Sequence, residues 1–278
     1  MTLDLSTPFN TCLLLDLGNT RLKVGLWHAD QPDIEPLAAI AHADPNLLRQ
    51  QLQTTLQQLS EQTRHALKVA LGVSVASQAR MDLIEEVLKN TLETTQTHWL
   101  WPQEAALGVT NGYPEPSQLG ADRWMSVLGL RHHFGALNRS LILANFGTAT
   151  TIDTLSQESV FLGGLILPGV TMMHDALLHG TARLPLAKGQ ITPYPTDTHS
   201  AITSGIAAAQ IGAIVRQYEL SQKRDQQAPI LCVSGGAWQI VAAEWRRQQP
   251  NITVTELPHV VLMGLSFFAQ AQYDQSVY

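Results

Sequence analysis

The chain has 278 residues, of which 45% are hydrophobic and 14% are charged, and its formal net charge at pH 7 is −6. This composition is typical of a folded globular protein, and the length predicts two lobes at roughly 150 residues per domain. The acidic balance contains no block of like charge, which argues against a nucleic-acid or membrane surface, and the first residues, MTLDLSTPFNTC, lack a signal-peptide pattern. We therefore expect a cytoplasmic protein without a nucleic-acid or membrane partner.

The predicted elements of the first half begin with strands and continue with alternating helices and strands. Two strands, 12–17 and 21–27, are joined through Gly18-Asn19, a dipeptide that tolerates the positive φ of a tight hairpin. There follow a strand near 35–42, a helix at 46–59, a strand at 69–77, a helix at 79–92 and a strand at 97–102. The segment 108–120 is rich in Gly, Pro and Asn and predicts a connection, so we divide the chain into lobes of residues 1–115 and 116–278.

The second half repeats this order of elements. A helix that ends near Gly135 is followed by three short strands in LILANFG, TATTIDTL and SVFLGGLIL. There follow helices near 170–180 and 201–220, a strand at 229–235, a helix from Ala237, a strand in ITVTEL and a helix near 261–273. The repeated order favours an internal duplication of an α/β lobe.

A pair of strand-turn-strand stretches also indicates duplication: LLLDLGNTRLKVGLW (13–27) and LILANFGTATTIDTL (141–155). The polar residue before each glycine turn is Asp16 in the first copy and Asn145 in the second. Such a turn lets backbone N–H groups approach phosphate oxygens, and an aspartate at a strand end can hold Mg²⁺. For the first stretch alone, an ordinary β-hairpin with a capping Asp is the favoured explanation, and chance repetition explains the pair as well as duplication does.

A third motif, VSGGAW (233–238), is a strand, a Gly-Gly turn and a helix start, which suits close approach to a nucleoside. The three motifs together predict a nucleotide clamp. In this order they resemble the phosphate and adenosine motifs of the acetate and sugar kinase/Hsp70/actin superfamily. The resemblance implies a duplicated actin-like (ribonuclease H-like) ATPase fold, with two lobes and the active site in the cleft between them.

Within that superfamily the chain is most similar to the type III pantothenate kinase family. The matching pieces are DLGNTRLK (16–23), NGYPEPSQLGADR (111–123), NFGTATTID (145–153), GGLILPG (163–169), DTHSAITSGI (197–206) and SGGA (234–237). The LGADR element and the order of the six pieces are more specific than any single glycine turn. The implied activity is phosphorylation of pantothenate by ATP, the first step of coenzyme A biosynthesis.

The resemblance assigns roles to particular residues. ATP would be bound by Asp16, Leu17, Gly18, Asn19, Thr20, Arg21, Leu22, Lys23 and Thr148. Pantothenate would be bound by Tyr113, Gly120, Ala121, Asp122, Arg123 and Thr198. Asp122 would be the catalytic base, Asp16 would lie near Mg²⁺, and Thr198 would reach the site from the partner subunit of a homodimer.

Residue chemistry agrees with the roles of Asp122 and Arg123 but does not require them. A carboxylate can accept the proton of an alcohol during phosphoryl transfer, and a guanidinium can bind a substrate carboxylate in bidentate fashion. Equally, Asp122 favours a helix N-terminus simply through the helix dipole. The apolar residues of the helix 120–133 could be buried within one chain or in a dimer contact.

Asn145 departs from the family pattern, in which an aspartate at this position helps to bind a monovalent cation, K⁺ or NH₄⁺. An amide oxygen can still bind a cation but supplies no net charge. We therefore expect weak activation by K⁺, or none, with activity retained.

Two alternative functions remain open. One is another small-molecule kinase of the superfamily, acting on an acetate-like or sugar-like acceptor. The other is a non-catalytic nucleotide-binding regulator, because relatives have been described as accessory factors in transcription. The LGADR element with Tyr113 and Thr198 favours pantothenate over the first, and intact Asp16, Lys23 and Asp122 argue against the second.

Overall fold

The computed structural model describes residues 9–31, 33–92, 95–135, 138–180 and 189–277. Contacts between Cα atoms group these residues into two compact units. The first unit contains the described residues up to Phe134 and those from His259 onward, and the second contains those of Gly135–Pro258. The predicted division into lobes of residues 1–115 and 116–278 follows the repeated order of elements in the sequence, and it stays a prediction.

The first unit is built on a five-stranded sheet in the order β3-β2-β1-β4-β5. Its strands are β1 (Thr11–Leu17), β2 (Arg21–His28), β3 (Glu35–Ala41), β4 (Val69–Ser74) and β5 (Gln96–Trp99). β1 is antiparallel to β2, β2 is antiparallel to β3, and β4 is parallel to both β1 and β5. Every residue of β1 is buried, as its continuous apolar run predicts for a central strand.

Helices α1 (Pro45–Gln57), α2 (Glu61–Ala66) and α3 (Gln78–Leu92) connect these strands. Asp44 caps α1 by accepting a hydrogen bond from Asn46 N at 2.8 Å. Leu48, Leu52 and Leu56, spaced four residues apart, are fully buried in the core beside the sheet. This spacing places them on one face of the helix, which anchors α1 to the unit.

The remaining elements of the first unit up to residue 134 are short, apart from one helix. They are the antiparallel pair β6 (Ala105–Ala106) and β7 (Val109–Asn111), a 3₁₀ turn at Pro116–Gln118 and helix α4 (Ala121–Phe134).

The second unit repeats the topology of the first. Its elements are β8 (Leu141–Phe146), β9 (Ala149–Leu155), β10 (Val160–Pro168), α5 (Val170–Gly180), α6 (Thr198–Asp225), β11 (Ile230–Ser234), α7 (Trp238–Gln248) and β12 (Val254–Glu256). Its strands follow the order β10-β9-β8-β11-β12, with β8 antiparallel to β9 and parallel to β11. Strand order and directions match those of the first sheet, as the duplication predicts.

The C-terminal helix, α8 (Val260–Val277), belongs to the first unit and crosses α4. A Cβ at Gly129 would lie 2.5 Å from Val260 O, so only glycine allows the two backbones to approach this closely. The apolar residues Trp124, Val127, Leu128 and Leu130 of α4 are at most 1% exposed. Burial within one chain therefore accounts for this helix without a dimer contact.

Several local expectations are wrong. Among the described residues neither Gly18 nor Asn19 has a positive φ, so the hairpin between β1 and β2 is not the expected left-handed turn. The connection 108–120 contains β7 and a 3₁₀ turn, and α2 was not expected. α2 has no buried residue, so it lacks the apolar periodicity that identifies a helix from sequence. None of the helices in the described ranges is long and apolar enough to cross a bilayer.

Candidate active site

The first candidate element is the ion pair between Asp16 and Lys23. They are directly opposite each other on β1 and β2, and Lys23 Nζ donates to Asp16 Oδ2 at 2.8 Å. The aspartate side chain is 5% exposed and the lysine side chain 38% exposed. Pairing reduces the cost of the buried carboxylate charge, while the partly exposed ammonium can still meet an anion.

The turn between these residues has an exposed tip and buried ends. Asn19, Thr20 and Arg21 are exposed, whereas Leu17 and Leu22 are at most 1% exposed. The turn is held by Gly18 N, which donates to Arg21 O at 3.0 Å. Of the predicted ATP-binding residues, the two leucines therefore belong to the core, and only their backbone groups could contact a ligand.

His42, directly after β3, is a residue of this turn region that sequence reasoning missed. Its side chain is buried, and its Nε2 lies 2.8 Å from Gly18 O. The only sequence signal was a histidine after a strand that pairs with β2, which is too common to identify a site.

A second missed residue is His259, which precedes α8 and has φ 56, an unusual value for a residue other than glycine. Burial lowers the pKa of its ring, the positive charge of Lys23 lowers it further, and Asp16 opposes the shift. His259 is therefore close enough to both charged groups to interact with them electrostatically. Its separation from them by more than 230 positions in the sequence concealed this relationship.

Asp122 lies in the first turn of α4. Its Oδ1 accepts a hydrogen bond from Arg123 N at 2.8 Å. Burial raises the pKa of the Asp122 carboxyl, and the negative charge of Asp16 raises it further, while the Arg123 N–H bond and the Arg123 charge oppose the rise. The structure thus brings the predicted base close enough to Asp16 for one carboxylate to influence the other.

Arg123 and Tyr113 form a second linked pair. Arg123 is 6% exposed, and its Nη1 donates to the Tyr113 hydroxyl at 3.0 Å. Tyr113 is positioned in turn by its N–H, which donates to Asn111 Oδ1 at 3.0 Å. A buried guanidinium beside a phenol hydroxyl is a preorganised group for a carboxylate or another anion.

Gly120 and Ala121 leave little room next to Asp122. A Cβ at Gly120 would lie 2.8 Å from Asp122 Oδ1, and Ala121 is itself buried. The position of the carboxylate therefore depends on the absence of a side chain at residue 120.

In the second unit, two glycine turns contact each other. Gly235 has φ 90, and it approaches the backbone of Phe146 so closely that a Cβ could not be accommodated. Ala237 N donates to Phe146 O at 3.4 Å, and Gly169 N donates to Thr148 O at 3.1 Å. The structure thus brings the predicted phosphate turn and the predicted nucleoside turn together.

The other predicted residues of this unit lie at element ends. Asn145 is half-buried on β8, opposite Thr151 of β9 and Ser234 of β11. Thr148 is exposed in the turn after β8, and Thr198 is exposed as the first residue of α6.

Comparison with known proteins decides the family. A family model for type III pantothenate kinase matches residues 12–220. The chain belongs to the type III pantothenate kinase family. A family member from Bordetella bronchiseptica, named type III pantothenate kinase, is 46% identical over 235 residues, which cover 84% of this chain and 85% of that protein.

Solved structures show that the fold is that of actin-like ATPases. MreB 5 of Spiroplasma citri bound to AMPPNP has a TM-score of 0.52 at 9% identity, covering 96% of this chain and 98% of that one. A putative Baf family transcriptional activator from Campylobacter jejuni has a TM-score of 0.52 at 18% identity, covering 94% and 99%. At these identities the similarity concerns the fold alone.

The carboxylates near the predicted phosphate turn suit a metal ion that is bound together with the phosphates of ATP. The described residues contain no group of three or more His, Cys, Asp or Glu side chains that could hold a metal. Mg²⁺ typically binds through one or two carboxylates together with substrate phosphates and water. The buried carboxylate of Asp16, in the predicted phosphate turn, fits this mode.

Proposed function

We propose that the protein transfers the γ-phosphoryl group of ATP to the primary alcohol of pantothenate, giving 4'-phosphopantothenate for coenzyme A biosynthesis. Family membership and the named relatives support this reaction. The observation that carries it is the half-buried Asp122 carboxylate in the first turn of α4, whose pKa is raised by burial and by the charge of Asp16. A carboxylate with a raised pKa is a stronger proton acceptor, as general-base chemistry requires.

In this mechanism Asp122 accepts the proton of the pantothenate hydroxyl as that oxygen bonds to the γ-phosphorus. The bond from the γ-phosphorus to the leaving oxygen breaks, and ADP departs. Positioning and charge neutralisation supply most of the catalysis in such transfers. When bound, Mg²⁺ would neutralise part of the phosphate charge, and Asp16 is the residue that would hold it.

The remaining roles follow the family motifs. Lys23, the exposed residues of the turn 18–21 and Thr148 would contact ATP phosphates, with Leu17 and Leu22 contributing backbone groups. Arg123, held by Tyr113, would bind the pantothenate carboxylate, next to Gly120 and Ala121. Thr198 would complete the site from the partner subunit of a homodimer. We also propose that the protein works in the cytoplasm.

Asn145 would occupy the position of a monovalent cation ligand. Its amide oxygen can bind K⁺ or NH₄⁺, but it lacks the charge that the usual aspartate supplies. Activation by these cations would therefore be weak or absent. Removal of a carboxylate near a triphosphate also removes repulsion, so ATP binding would persist.

A coupled assay of ATP consumption with and without pantothenate tests the proposal. The expected result is turnover that depends on pantothenate. Faster turnover with acetate or a sugar would favour the other kinase function. Nucleotide binding without turnover on any acceptor would favour the regulator. The similarity to the Campylobacter protein does not support a regulatory role, because at 18% identity it concerns the fold alone.

A further inference from the structure

His42 contacts two backbone carbonyls of the turn between β1 and β2. Its backbone N–H donates to Thr20 O at 3.2 Å, and its ring Nε2 lies 2.8 Å from Gly18 O. A carbonyl oxygen can only accept, so Nε2 carries a proton and donates. His42 is 5% exposed, so water competes little for this contact. One residue after β3 therefore fixes the carbonyls of Gly18 and Thr20.

The contact with Gly18 also fixes the direction of the next N–H group. The described peptide bonds are all trans. In a planar trans peptide, the C=O of one residue and the N–H of the next point in opposite directions. When Gly18 O points at His42, Asn19 N–H must point away from it. Gly18 N is held separately by Arg21 O at 3.0 Å, so the peptide planes on both sides of Gly18 are oriented.

The direction of Asn19 N–H matters because the tip of the turn is exposed and follows Asp16. Asn19 and Thr20 are exposed, whereas Asp16 and His42 are buried. A donor aimed out of such a turn can bind an anion without a rearrangement at the time of binding. Without the Nε2 contact, the peptide between Gly18 and Asn19 loses the hydrogen bond that fixes the direction of the Asn19 N–H.

We infer that His42 is a positioning residue for nucleotide binding, because its Nε2–H orients the 18–19 peptide so that Asn19 N–H donates to a phosphate oxygen. The inference rests on the proposed function only in requiring that this turn binds a nucleotide phosphate. His42 itself contacts neither the nucleotide nor the acceptor. It therefore affects nucleotide affinity and leaves the binding of pantothenate unchanged.

Three substitutions of His42 test whether the Nε2–H donor, rather than the size of the imidazole ring, determines nucleotide affinity. His42→Gln places an amide N–H at nearly the position of Nε2, so it should restore the contact with Gly18 O. His42→Asn has a donor that is too short to reach, and His42→Leu has none. Loss of one hydrogen bond to a charged group predicts about a tenfold rise in the dissociation constant for ADP, measured by titration calorimetry, in the last two variants.

His98 supplies matched controls. It lies in β5 of the same sheet, and its buried Nε2 has no hydrogen-bond partner in the described residues. His98→Gln, His98→Asn and His98→Leu should bind ADP as the parent does. The KM for ATP should rise in His42→Asn and His42→Leu, while the KM for pantothenate should stay within about twofold. If all His42 variants bind ADP like the parent, or if His42→Gln fails to restore affinity, the inference is wrong.

A measurement on the parent keeps the inference testable even if a variant does not fold. The amide proton of Asn19 should move downfield in the NMR spectrum when the non-hydrolysable analogue AMPPNP is added, because it gains a charged acceptor. An unchanged Asn19 amide alongside demonstrable AMPPNP binding would overturn the inference. If AMPPNP shifts this amide but the parent shows no pantothenate-dependent turnover, the inference stands and the proposed function fails.

Discussion

Asp122, the proposed catalytic base, has a pKa that can be tested directly. Its pKa is raised mainly by burial, so the folded state favours the protonated form. The stability that this protonation contributes is fully present below the unfolded value of about 3.9 and is lost as pH rises through the higher folded value. Asp122→Asn, which stays neutral, should therefore gain melting temperature relative to the parent between pH 4 and pH 7. A constant difference across this range would contradict the assignment of a raised pKa.

Gly120, a predicted pantothenate-binding residue, also controls the position of the Asp122 carboxylate. A methyl group at residue 120 would lie 2.8 Å from Asp122 Oδ1, and the flexible carboxylate can move aside while the backbone stays in place. Gly120→Ala should therefore keep its melting temperature but lose about tenfold to a hundredfold in kcat. Gly212→Ala is the control, because a Cβ there would meet no atom within 4 Å. Parent-like kcat in Gly120→Ala would show that this carboxylate position is unimportant.

Asn145 gives a prediction about cation dependence. In Asn145→Asp, a carboxylate would add a charge to the proposed cation position, so K⁺ should bind more tightly. The turnover rate measured against K⁺ concentration, at constant ionic strength with a tetramethylammonium salt, should show stronger activation in the variant than in the parent. Identical curves would remove this residue from the account of cation binding.

At the scale of elements, the close packing of α4 against α8 stabilises the first unit. A Cβ at Gly129 would lie 2.5 Å from the backbone oxygen of Val260, which cannot move as easily as a side chain. Gly129→Ala should therefore destabilise the protein by about 1 to 3 kcal/mol, as overpacking of a close contact does. Thermal unfolding measures this loss. Gly205→Ala, in the open environment of α6, is the control and should not be destabilised.

The larger elements of both units could be predicted from the sequence because they carry strong periodic signals. The continuous apolar run of β1 and the leucines of α1 at intervals of four residues are examples. β6 and β7 were missed because strands of two and three residues are too short to show alternation. The positive φ expected at Gly18-Asn19 is not found. Residue preferences report only local conformation, whereas contacts with β3 and His42 determine the conformation of this turn.

Only those residues of the candidate site that lie within a contiguous sequence motif could be predicted. Asp16, Lys23, Asp122 and Arg123 lie in contiguous motifs, and the structure shows the ion pair and the hydrogen bonds that position them. His42 and His259 approach the turn through the fold, from positions that no motif links to it. Burial of Leu17 and Leu22 was likewise invisible in a motif that names every residue from 16 to 23.

At the scale of the whole molecule, the five strands of the first sheet and the five strands β8–β12 share one strand order and one pattern of directions. Each unit places a glycine turn directly after its central strand, β1 in the first and β8 in the second. The duplicated turns have nevertheless diverged in chemistry, since Asp16 is ion-paired with Lys23, whereas Asn145 is neutral. The first unit also holds Asp122 and Arg123, so the groups proposed for proton transfer and acceptor binding are supplied together.

The most direct test of the proposed reaction is detection of its product. Purified protein, ATP, Mg²⁺ and pantothenate should yield a pantothenate phosphomonoester, identified by mass spectrometry and phosphorus NMR, at a rate about 100-fold or more above that of Asp122→Asn. The variant should still bind ADP as the parent does. Absence of the ester with the parent protein, or equal rates of ester formation in the parent and in Asp122→Asn, would contradict the account.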